Sequence, residues 1–209
     1  MPDSYLVPAG RGEATVEVRR SRFVAHVERV EDDAAARAVV DAARARHPDA
    51  RHHCSASVVG PRRDERRSHD DGEPAGTAGA PMLEVLARSG VSDVVVVVTR
   101  WFGGTLLGAG GLVRAYGEAA AEALADAGTR RRRRLVELAV RVSPPDAARL
   151  EHDLRASGAA VLDTAWGSDV TLTVAVAEDE VPALEGRVAS TTSGAGRVAR
   201  LGGRWVDLA

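Results

Sequence analysis

The chain has 209 residues, 44% hydrophobic and 28% charged, enough for one large domain or two small ones and far from a disordered composition. All 28 basic residues are arginine, which excludes a Walker A loop, a pyridoxal phosphate Schiff base and a lysine general base. The formal net charge of −2 argues against a protein that binds nucleic acid through its overall field, though not against a local basic patch.

In chain order, the opening MPDSYLVPAG lacks a basic stretch followed by an apolar run, so no secretory leader is expected and the cytoplasm is the expected location. TVEV and RFVAHVERV read as two strands turned at residues 19–22. A helix is expected over 34–46, capped by Asp32 or Asp33 and stopped by His47-Pro48. Residues 53–59 read as a strand, and 62–79 as one long polar loop. Pro81 suits the first turn of a helix that Gly90 would end. The five valines at 94–98 read as a strand buried on both faces, hence central in a sheet, and are far too few to cross a bilayer. A glycine-rich turn and a helix over about 112–127 follow, with Gly128 as its stop. Beyond the arginine run at 130–134, strands are expected at 135–142, 159–166, 170–176 and 197–206, and helices at 146–157 and 181–192. That order, βαββαβ, is the ferredoxin-like split unit. The boundary is placed near 128–134, giving domains 1–129 and 130–209.

Four segments carry residue types suited to chemistry. DDGEPAGTAGAP at 70–81 holds Asp70, Asp71 and Glu73 within four positions, then Thr77 and glycines that permit close backbone approach. The carboxylates could hold a divalent cation; the plainer reading has Asp71 and Glu73 capping the next helix or pairing with Arg62, Arg63, Arg66 and Arg67. The segment from Arg100 to Tyr116 contains Trp101, Phe102, Gly103, Gly104, Thr105, Gly108, Gly110, Gly111 and Arg114. Glycines between a buried strand and a helix favour an anion site, although neither G-x-G-x-x-G nor Walker A is present. Three of only seven aromatic residues fall here, and beside Arg100 and Arg114 they could stack bases of a single strand. The alternative is a tight turn with core aromatics. Arg51-His52-His53-Cys54 places His52 and Cys54 on one strand face and His53 on the other. The paired ligand spacing that would identify zinc is missing, and a lone cysteine closes no internal disulfide. The arginine run reads either as a basic stripe or as a solvated linker.

DDGEPAGTAGAP, TRWFGGTLLGAGGLVRAYGEA and RHHCSA together resemble the Impact/YigZ family over essentially the whole chain. The resemblance implies an α+β protein with an N-terminal ribosomal protein S5 domain 2-like α/β domain and a C-terminal ferredoxin-like domain. It also implies a translation-associated regulatory or binding protein that contacts RNA, the ribosome or a translation factor. The family's eukaryotic members carry an additional N-terminal RWD domain, which is not expected here, so their specific regulatory role is not carried over. Asp70, Asp71, Glu73, Thr77, Arg100, Phe102, Gly103, Gly104, Gly108, Gly110, Gly111, Arg114 and Tyr116 match the family motifs in type; Trp101 stands where the family often has tyrosine. No cofactor, metal or membrane partner is expected. A competing expectation is an enzyme for a small phosphorylated or metal-bound substrate. The discriminating question is whether the 70–81 and 100–116 segments share a cleft with Arg100, Arg114 and the carboxylates.

Overall fold

A computed structural model describes residues 3–208; Met1 and Pro2, the first residues of the stretch read for a leader, lie outside the described part. The chain is an α+β protein of two compact units, Met1–Arg132 with the C-terminal tip, and Arg133–Asp207.

In the first unit, β1 (Ser4–Pro8), β2 (Gly12–Val18) and β3 (Ser21–Arg29) precede α1 (Asp33–Arg46), followed by β4 (His52–Val59), β5 (Glu65–His69), α2 (Gly79–Ser89), β6 (Val94–Trp101) and α3 (Gly108–Ala127). A five-stranded sheet runs β2-β3-β6-β4-β5, antiparallel throughout. The β2–β3 turn is only Arg19 and Arg20, both with positive φ, the geometry of a two-residue hairpin loop. Asp32 caps α1 by accepting from the Ala35 N–H at 2.7 Å.

The valine strand β6 is central, as its composition predicts. Val94, Val96 and Val98 join the main core with Phe23, Cys54, Met82, Leu86, Leu112 and Tyr116 on the α2/α3 side. Val95 and Val97 pack with Ala36 and Val59 under α1 on the other. Helices on both faces explain why an antiparallel strand reads as a continuous apolar run instead of alternating.

Two expectations for this unit are corrected. The loop over 62–79 contains β5, a five-residue edge strand whose residues are all exposed. With neither face buried it has no apolar alternation to reveal it. Of the two readings of the arginine run, the solvated linker fails, because β7 (Thr129–Val142) begins at Thr129 and includes it. Within the first unit Arg132 pairs with Asp93 and Glu31, both at 3.1 Å.

The second unit continues β7 and adds α4 (Pro144–Ala156), β8 (Ala160–Trp166), β9 (Val170–Val176), α5 (Val181–Thr191) and β10 (Arg197–Asp207). Its strands lie in the order β10-β7-β9-β8, the arrangement of a ferredoxin-like unit. Leu138, Val140, Leu150, Leu154, Leu172 and Val174 form its core. Among the described residues no helix is long and apolar enough to cross a membrane.

Candidate functional site

Register places the two long motifs together. On β4 and β6 His52 pairs with Arg100, His53 with Thr99 and Cys54 with Val98. His52, Cys54 and Arg100 therefore share the α3 side of the sheet, and His53 and Trp101 share the α1 side. The 70–78 loop closes over the α3 side. Its carboxylates do three different jobs, and only one of them faces the second motif.

Asp70 organises the loop. Its carboxylate accepts from the N–H groups of Gly76, Ala78 and Gly79 at 2.8, 3.0 and 2.8 Å. It thereby caps the start of α2, the task expected of Asp71 or Glu73. Burial works to raise its pKa, but the three backbone donors outweigh it and hold Asp70 below the ordinary carboxylate range. Asp71 accepts from the His53 N–H at 2.7 Å and pairs with Arg44 at 2.6 Å. The expected partners are engaged elsewhere: Arg62 with Asp64, Arg67 with Asp33, and Arg63 with the Leu86 and Ala87 carbonyls. Thr77 is buried and donates to the Pro74 carbonyl at 2.6 Å.

Glu73 links the motifs. Its Oε1 accepts from Arg100 at 2.6 Å and from the Tyr116 hydroxyl at 2.7 Å, and both side chains of the ion pair are more than nine-tenths buried. Removing either charge would leave the other unpaired in the interior, a loss of about 3–5 kcal/mol. Arg100 also reaches Ser21 Oγ at 3.4 Å and lies 5.3 Å from the Phe23 ring centroid and 5.7 Å from that of Phe102. Cys54 Sγ–H donates to the Asp70 carbonyl at 2.9 Å, and its sulfur is 3.3 Å from the Tyr116 hydroxyl. Burial pushes the thiol up to about 12. It raises the Tyr116 hydroxyl as well. This network is a locked interior, not a set of poised acids and bases.

Outside it opens a cleft of about 360 Å³, lined by Arg51, His52, Glu73, Pro74, Arg100, Phe102, Leu106, Leu107, Gly108, Ala109 and Leu112. Three features make it receptive. Phe102 and Leu106 are exposed. The start of α3 has no side-chain cap, leaving backbone donors and the positive end of a 20-residue helix at the cleft. His52 Nδ1 lies 2.8 Å from the Asp71 carbonyl; a carbonyl only accepts, so in the neutral ring Nε2 keeps the lone pair.

The remaining candidates divide. Gly103 lies against the β2–β3 turn, where a Cβ would come within 2.0–2.3 Å of Arg20 and Ser21 backbone atoms, so only glycine fits. Gly104 follows with a positive φ of 82°, a conformation glycine adopts without strain. Gly108, Gly110 and Gly111 belong to the first turn of α3, which starts four residues before the expected Leu112. Trp101 is on the opposite face, donating to Asp49 at 2.7 Å with Arg22 over its ring at 4.1 Å. Arg114 is exposed and lines a different, α2–α3 surface with Glu84 and Arg88. Arg51, Leu106 and Leu107 were not expected in the site; the β4–β6 register that brings Arg51 there is a long-range pairing without a local signal. Among the described residues no group of three or more histidines, cysteines or carboxylates could hold a metal ion.

A family model described as "Impact N-terminal domain" matches residues 19–124, and one described as a domain of unknown function (DUF1949) matches residues 140–195. The chain is 38% identical over 194 residues to "IMPACT family member YigZ" of Escherichia coli (strain K12), covering 92% of this chain and 95% of that protein. It is 35% identical to "IMPACT family member YvyE" of Bacillus subtilis (strain 168), covering 93% and 89%. A solved structure titled "Crystal structure of an hypothetical protein" matches with a TM-score of 0.68 at 36% identity, over 95% of this chain and 97% of that one.

Proposed function

The chain belongs to the IMPACT family, and from that premise we propose that it is a translation-associated binding protein that contacts RNA, free or on the ribosome, through the cleft at the start of α3. One observation carries this reading: an exposed aromatic ring, Phe102, lies at the same cleft as the uncapped α3 N-terminus, Arg51 and His52. A base of a single strand stacks on the ring while its phosphate meets the helix N-terminus and Arg51. The cleft suits one or two nucleotides better than a duplex. An enzymatic role would require Asp71 and Glu73 as metal ligands or acid–base groups, and both are already bonded to arginines.

Fluorescence anisotropy with a single-stranded RNA tests the proposal. Binding should weaken as salt rises. Phe102→Ala should weaken it by about tenfold or more, and Arg51→Gln should lower both affinity and salt dependence. Arg114→Gln, away from the cleft, should leave binding unchanged. Absent or salt-insensitive binding to both RNA and ribosomes would contradict the reading.

A further inference from the structure

The other face of β4 carries a second concavity that the RNA reading does not use. It is a groove of about 290 Å³ between α1 and the β4–β5 pair. Pairing of Ser55 with His69 and of Ser57 with Arg67 puts these four on one face. On α1, Asp33, Arg37, Asp41 and Arg44 recur at helical spacing along the facing side.

Two observations point to a ligand. Ser55 and Ser57 are more than nine-tenths buried and line the groove, yet neither hydroxyl has a hydrogen-bond partner among the described residues. Neither oxygen is among the buried side-chain atoms left without a partner, so both hydroxyls open onto the groove and are free to bond whatever enters it. The guanidiniums, in turn, are held in place and only partly used. Asp33 takes Arg37 at 2.6 Å and Arg67 at 2.8 Å, and Asp71 takes Arg44 at 2.6 Å. A guanidinium has five N–H donors, so each keeps several for a further acceptor. Asp41 lines the same groove without an ion pair among the described residues.

We propose that this groove binds a small phosphorylated polyol of the sugar phosphate class. The phosphate takes the spare donors of Arg37, Arg44 and Arg67, and the polyol hydroxyls bond to Ser55 and Ser57 on the floor and to the Asp41 carboxylate on the rim. Three arginines balance three carboxylates, so the groove has no excess charge to hold a bare anion. Affinity therefore requires the hydroxyls as well as the phosphate. The volume is at the small end of ligand pockets, in keeping with a single ring or short chain.

Isothermal titration of the full chain with ribose 5-phosphate, ribose and inorganic phosphate tests this. Ribose 5-phosphate should bind at one site, and ribose and inorganic phosphate at least about tenfold more weakly. Arg67→Gln and Ser57→Ala should each weaken it by about tenfold. Ser57→Ala should leave the thermal midpoint unchanged, because the hydroxyl has no protein partner to lose in the free protein. Phe102→Ala should have no effect on this ligand. The proposal is overturned if no probe binds at millimolar concentration, if inorganic phosphate binds as tightly as ribose 5-phosphate, or if Phe102→Ala abolishes binding. RNA binding can fail or succeed independently of these outcomes.

Discussion

Cys54 is the one thiol of the chain, with His52 and His53 beside it in sequence, yet its surroundings withhold reactivity. Its proton is directed at the Asp70 carbonyl and no part of it is exposed. With its pKa pushed up to about 12 by burial, against about 8.5 for a free thiol, the folded state favours the neutral form. Its contribution to stability is complete below about 8.5 and declines as pH rises toward 12. At pH 8 the native protein should resist alkylation by iodoacetamide and react once unfolded in urea; rapid modification of the native form would contradict the placement. The strand period alone reveals that His52 and His53 part company. It does not reveal which partner each meets, because Arg100, Thr99 and the 70–78 loop arrive from 18 to 48 residues away.

At the scale of elements, Asp70 is the joint between loop and helix. Its three backbone bonds fix both the loop that carries Glu73 and the first turn of α2. Asp70→Asn should destabilise the protein by about 1–2 kcal/mol in urea denaturation at neutral pH, the scale of a lost helix cap. Because its pKa is lowered on folding, the stability it supplies is present above the unfolded carboxylate range and is lost as pH falls through the folded value. The variant should therefore lose less stability on acidification than the parent, and an unchanged acid limb would count against this role. Most elements were legible because their signals are local. Asp32 caps α1, Gly90 ends α2 with positive φ, and the helices of the second unit and its strands after β7 fall within a few residues of the expected positions. Three were not. β1 is only five residues long and lies in the stretch read for a leader, β5 buries neither face, and the arginines at the start of β7 look like a charged linker until their partners are in place, as with Arg132 on Asp93. The early start of α3 was hidden for a similar reason: Gly110 and Gly111 are poor helix formers in isolation.

Over the whole molecule, β4 divides two prospective sites by the alternation of its side chains. His52 borders the cleft at the start of α3, with Arg51 just ahead of the strand, and His53, Ser55 and Ser57 floor the groove beneath α1. The motif residues turn out to serve two ends. Asp70, Thr77, Gly103 and Tyr116 build the scaffold, while Phe102 and the α3 start remain available to a ligand; Trp101 and Arg114 lie away from that cleft. The scarcity of aromatics thus mattered for Phe102 more than for its neighbour. The family was legible in the motifs, whereas the shape of the cleft depends on contacts between segments far apart in sequence. The central claim is that the cleft takes a nucleotide of single-stranded RNA. Photo-crosslinking to 4-thiouridine RNA followed by tryptic mapping tests it directly, since cleavage at arginine releases residues 101–114 as one peptide carrying Phe102 and the start of α3. The account predicts that this peptide carries the crosslink and loses it in Phe102→Ala; crosslinks confined to residues 133–207 would contradict it.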